Sequence, residues 1–277
     1  MIKKSFFLTI LMAFALTSCY QNEDEISSNE KYVAFNLNAQ GVDLSSMTRA
    51  TFNEPQNLLV IDQFEDKCTV SERTGLASFG LPLTYGTHEL YFIAATAKWE
   101  SYDTDKLIMK WTNTVAGMRE VWAYHLTLEV DENTTVEEIT LPLVVADVRI
   151  KTLDKIPTGT SVVNVEANDL CRALNLTTMK GGVITSQPVN ANLDVSSAAG
   201  KTLQANFYTF VPAAGNVGDI NVTALDASSK EIAAKILNAV PVQEGYISLY
   251  TGYFFSEGVT IPLTYTDDWT GVNEYQY

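Results

Sequence analysis

The sequence predicts an all-β protein built from two tandem β-sandwich domains. Three observations carry that expectation. Apolar residues recur at every second position over short stretches, the period of a half-buried strand. Clusters of Gly, Pro, Asn and Asp separate those stretches at the spacing of sandwich turns. Helical periodicity is scarce, and the chain of 277 residues is long enough for two ordinary β domains after a short leader.

The elements follow in order. Lys31 to Ala39 alternates, with Val33, Phe35, Leu37 and Ala39 on one face and Asn36 and Asn38 on the other. Leu58-Leu59-Val60-Ile61 and Leu90 to Ala95 are continuous apolar runs, the signature of strands buried on both faces. Between them, Leu81 to Leu83 precedes a turn at Tyr85-Gly86-Thr87. Leu126, Leu128 and Val130 alternate before Asp131-Glu132-Asn133 turns the chain. Leu141 to Ile150 reads as one strand and leads to a Pro157-Thr158-Gly159 turn. The later part repeats the style at Val162 to Val165, Phe207 to Val211, Ile220 to Ala224, Ile247 to Thr251 and Val259 to Tyr265. Glu231 to Leu237 fits a short helix or a hairpin strand equally well. The expected units are residues 31–145 and 146–277.

The first 30 residues belong to neither unit. Lys3 and Lys4 precede an apolar run from Phe6 to Leu16, and Leu16-Thr17-Ser18-Cys19 reads as a lipobox. As a helix the run is about 17 Å long, too short for a bilayer core of about 30 Å. Residues 1–18 are therefore expected to be a signal peptide, with lipid attached at Cys19. Residues 19–30, including Glu23-Asp24-Glu25, are too polar to fold and read as an acidic tether. They also resemble the export signal that carries Bacteroidetes lipoproteins to the outer face of the outer membrane. The lipid is the expected membrane contact, since no other stretch is apolar enough to span.

The chain carries a net charge of −15, and about −17 without its first 18 residues, which hold two lysines and no acid. That balance argues against nucleic acid as a partner. Cys68 and Cys171 are expected as two separate buried thiols, although an oxidising envelope would permit a bridge. His88 and His125 sit in strand-like runs without metal spacing, so both read as structural. There is no GxSxG, no Walker loop and no paired catalytic carboxylate. No enzyme activity, cofactor or metal is expected.

Several segments together resemble the fimbrillins, the pilus subunits of Bacteroidales. Ser45-Ser46-Met47-Thr48-Arg49-Ala50-Thr51-Phe52, followed by Asn57 to Phe64, resembles the family's processing junction and first mature strand. Leu83 to Ala95 resembles its turn-glycine and strand element, with Ala95 where Asn is usual. Leu141 to Ile150 resembles the opening of the second domain, and Tyr246 to Phe255 with Asp267-Asp268-Trp269 resembles its close. The resemblance implies two transthyretin-like β-sandwiches and assembly by strand exchange between subunits. Applied here, a protease cuts Arg49–Ala50, the strand carrying Val33, Phe35, Leu37 and Ala39 departs, and a donor from Val259–Tyr277 of the next subunit fills the slot. The implied partners are other fimbrial subunits and a receptor on a host or bacterial surface. Stalk, tip and anchor positions are all open. The alternative is a surface lipoprotein that binds glycans through aromatics of the first domain, with Trp99, Trp111 and Trp122 as candidate contacts beside Tyr102 and Tyr124.

Overall fold

The computed structural model describes residues 29–40, 54–182, 187–256 and 263–266. Within them the regular secondary structure is all strand, apart from one 3-10 turn at Val115–Gly117. The expected all-β class is what the molecule shows. The chain begins with β1 (Glu30–Ala39), β2 (Asn57–Phe64), β3 (Lys67–Thr74), β4 (Phe79–Thr84) and β5 (Gly86–Ala95). Two short strands, β6 (Ser101–Asp103) and β7 (Ile108–Lys110), precede β8 (Val121–Val130) and β9 (Val136–Leu141). These form a three-stranded sheet β4-β1-β9 facing a four-stranded sheet β3-β2-β5-β8.

The later strands are β10 (Val145–Thr152), β11 (Thr160–Ala167), β12 (Ala173–Asn175), β13 (Lys180–Gly181) and β14 (Val189–Asp194). They continue with β15 (Gln204–Phe210), β16 (Ile220–Asp226), β17 (Glu231–Leu237), β18 (Ile247–Gly252) and β19 (Leu263–Thr266). Here the sheets are β15-β10-β18-β19 and β14-β11-β16-β17. Setting aside the short strands, both halves follow one plan. The first strand of each lies between the fourth and the seventh, antiparallel to one and parallel to the other. The second half completes this sheet with an eighth strand, β19, paired to β18. Among the described residues, the first half has no counterpart.

Two hydrophobic clusters fill the sandwiches. One holds Val33, Phe35, Leu58, Phe92 and Trp122; the other holds Val148, Val163, Phe207 and Val222. The first also takes in Cys171, Leu174, Phe210 and Ile247 from the later half. A mixed sheet β13-β12-β7-β6 explains this reach, because β12 pairs antiparallel with β7 across the halves. Trp111 packs edge-on against Phe210, with ring centroids 5.2 Å apart. Tyr208 Oη donates to Glu120 Oε1 at 3.2 Å on the same seam. Arg172 is 2% exposed beside it, and its carbonyl accepts from the Trp111 N–H at 2.8 Å. Its Nε, Nη1 and Nη2 find no hydrogen-bond partner among the described residues, and burial pushes the guanidinium down to about 10.

Two expectations need correcting, and one open alternative is decided. Leu141 to Ile150 is two strands rather than one: β9 ends at Leu141 and β10 starts at Val145. Pro142 cannot donate to a ladder, and the chain crosses here from one half to the other. Glu231–Leu237 is the hairpin strand, not a helix. Cys171 is buried, but Cys68 is exposed on the edge strand β3, whose side chains reach water on both faces. Neither cysteine forms a disulfide among the described residues.

Candidate strand-exchange site

β1 holds its place by three kinds of contact. Its alternation buries Val33, Phe35, Leu37 and Ala39, each at most 4% exposed, while Tyr32 on the opposite face is 60% exposed. Its main chain pairs antiparallel with β4 from Glu30 to Phe35 and parallel with β9 from Ala34 to Ala39. Each neighbour therefore grips one half of the strand, and the two grips overlap at Ala34 and Phe35. Phe35 stacks on Phe79 at 5.7 Å and lies 5.3 Å from Phe92 of the facing sheet.

The ends are fastened separately. Lys31 Nζ donates to the Glu132 carbonyl, and Tyr85 N–H donates to the Asn29 carbonyl at 3.0 Å. After the strand, Gln40 N–H donates to the Leu141 carbonyl at 2.9 Å, and Trp122 Nε1–H donates to the Gln40 carbonyl at 3.0 Å. A local device shapes the neighbouring strand. Gly86 takes φ +133° where β4 gives way to β5, and a Cβ there would come within 2.9 Å of the Phe64 ring. Only glycine meets both demands.

Removing such a strand has a definite chemical consequence. The inner edges of β4 and β9 lose their ladder partners, and an apolar slot opens beside Phe79 and Phe92. Unpaired backbone groups and exposed apolar surface together recruit another strand. Burial of Val33, Phe35 and Leu37 is worth on the order of 5–8 kcal/mol before entropy is subtracted. β19 lies at the outer edge of its sheet, paired antiparallel to β18 from Leu263 to Thr266. Cys19, Arg49, Ala50 and the rest of Val259–Tyr277 lie outside the described residues.

The remaining candidates resolve as follows. Trp99, Trp111 and Trp122 are 6%, 2% and 0% exposed, so the expected glycan contacts are core side chains with no face for a sugar ring. Sequence patterning could not reveal this, because Trp111 is covered by Phe210, a hundred residues away. Tyr102 and Tyr124 remain partly exposed. His88 is buried, stacked on Phe64, with Nδ1 2.7 Å from Asp62 Oδ1 and Nε2 2.9 Å from the Thr84 carbonyl. His125 stacks on Tyr91 and pairs with Glu89. Among the described residues, no three His, Cys, Asp or Glu side chains gather as metal ligands.

No protein-family model matches the chain, and no curated protein matches it in sequence. Its fold does match solved structures. A candidate adhesin of Bacteroides ovatus ATCC 8483 superposes with a TM-score of 0.58 at 12% identity, covering 80% of this chain and 87% of that one. A candidate polysaccharide-binding protein of Bacteroides thetaiotaomicron VPI-5482 gives 0.53 at 10% identity over 89% and 99% of the two chains. A candidate cell-adhesion protein of Bacteroides uniformis ATCC 8492 gives 0.51 at 14% identity over 90% and 100%. At these identities the likeness is one of fold.

Proposed function

We propose that this chain is a structural subunit of a cell-surface fimbria that joins its neighbours by exchanging a β-strand and contributes to adhesion. Residues 31–145 and 146–277 are its two domains. One observation carries the proposal: β1 supplies four side chains to the first core and lies between β4 and β9, yet is tied in sequence to β2 only through the segment holding Arg49–Ala50. The fold shared with candidate adhesion proteins of Bacteroides supports the surface role.

The mechanism follows from strand physics. Lipid on Cys19 holds the precursor at the outer membrane, and intact β1 keeps its first domain closed. Cleavage after Arg49 cuts the covalent tie, and β1 leaves with residues 19–49. The slot between β4 and β9 then takes a C-terminal strand from Val259–Tyr277 of the next subunit, released from the edge of β18. The chain acts by binding, not by catalysis.

The test is limited digestion of the purified precursor with an arginine-specific protease, followed by electrophoresis in SDS without heating. A ladder of high-mass species is expected, and Arg49→Ala should abolish it. Cleaved protein that stays monomeric overturns strand exchange.

A further inference from the structure

The solvent face of the sheet β14-β11-β16-β17 has an uncommon chemistry. Cross-strand register sets Asn192, Asn164 and Thr223 in one row, and Asn190, Glu166 and Asn221 in the next. β11 and β16 bury alternate residues only, so these side chains point away from the second core. By contrast, β2 and β5 of the first half bury consecutive residues on both faces. An open groove of about 450 Å³ runs over the two rows.

Asparagine is a poor strand residue, and four of them on adjacent positions weaken the sheet they occupy. Internal bonding does not repay that cost. Asn221 Nδ2 donates to Glu166 Oε1 at 3.1 Å. The amides of Asn164, Asn190 and Asn192 make no hydrogen bond among the described residues. Their donors and acceptors are therefore presented outward.

We propose that this face binds a neutral oligosaccharide. Each amide offers a carbonyl acceptor beside an NH₂ donor, which matches a hydroxyl that both donates and accepts. Strands about 4.8 Å apart repeat that pair on the length scale of a sugar ring. Ile236, 59% exposed at the end of a row, offers an apolar surface for the C–H face of the ring. Glu166 is the one carboxylate lining the groove, while the Lys235 ammonium is turned to the other face of the sheet, where it donates to the Tyr253 carbonyl. That excludes an anionic polymer as the preferred ligand, and a lone carboxylate is too few for a cation. The site is on a different sheet from β1 and stands whether or not strand exchange occurs.

The experiment is affinity electrophoresis of the full-length protein through gels containing mannan, dextran or galactan, with heparin as the charged control. Retardation is expected in at least one neutral gel and not in heparin. Asn164→Thr combined with Asn192→Thr should weaken it at least tenfold without lowering the unfolding temperature. Ile236→Glu, a surface change, should weaken it independently. The proposal is overturned if none of the three neutral polysaccharides retards the protein, if the variants are retarded like the parent, or if heparin retards it most. It is also overturned if the groove mediates a concentration-dependent dimer that the same substitutions abolish.

Discussion

The Trp122 indole, fully buried on β8, donates its N–H to the main-chain carbonyl of Gln40 at 3.0 Å. Gln40 immediately follows β1, and its side-chain Oε1 accepts from the Leu143 N–H at 3.4 Å. The end of the first strand is thus fastened both to the core and to the connection between the halves. Release of β1 must break these bonds as well as its ladders.

Trp122→Phe keeps most of the packing and removes that donor. A loss of about 1 kcal/mol is expected for a single neutral hydrogen bond. Hydrogen–deuterium exchange should show faster exchange over residues 30–40, with β2 unchanged. Equal acceleration in both would mean that Trp122 supports the whole sandwich rather than the strand end.

Phe35→Ala empties the centre of the slot, between Phe79 and Phe92. Truncating a buried phenylalanine costs about 3–5 kcal/mol, read as a shift of the denaturant midpoint. Tyr32→Ala, on the exposed face of the same strand, should cost under about 1 kcal/mol.

How much of this was legible in the sequence depends on where each strand's apolar partner lies. β1, β2 and β5 announce themselves because their own side chains fill the core. β3 does not, since it is an edge strand exposed on both faces, with its ladder rather than its side chains holding it to β2. The junction at Pro142 was hidden because Leu141, Leu143, Val144 and Val145 are all buried, leaving no polar break where the chain changes sandwich. The tryptophans were misjudged for a related reason: the contact of Trp111 with Phe210 depends on the two halves meeting. The burial of β1 was the more legible part, because the alternation in residues 31–39 is a local feature.

Arg172→Met should stabilise the fold at pH 7 by at least about 1 kcal/mol, because it removes a buried charge that finds no counter-ion among the described residues. Burial holds its guanidinium near 10 in the folded chain, well below its value when free. The folded state therefore binds fewer protons between those values, so the penalty is complete below pH 10 and fades as pH rises above it. Thermal unfolding of both proteins at pH 7 checks the sign, and a lower unfolding temperature for the variant would refute it.

Thiol chemistry should separate the two described cysteines. Ellman's reagent should titrate Cys68 in the native protein and Cys171 only after unfolding. Partial burial, then the charges of Asp62 and Asp105, push the Cys68 thiol up. Its reaction should therefore be slow at neutral pH and accelerate above pH 9. Cys68→Ser should remove the native signal.

The central claim is that β1 is the strand given up on assembly, and peptide mapping of assembled material from cells tests it most directly. High-mass fibres should begin at Ala50 and lack every peptide from residues 30–39, while the monomeric precursor retains them. Fibres that still contain residues 30–39 would show that the subunits join by another route.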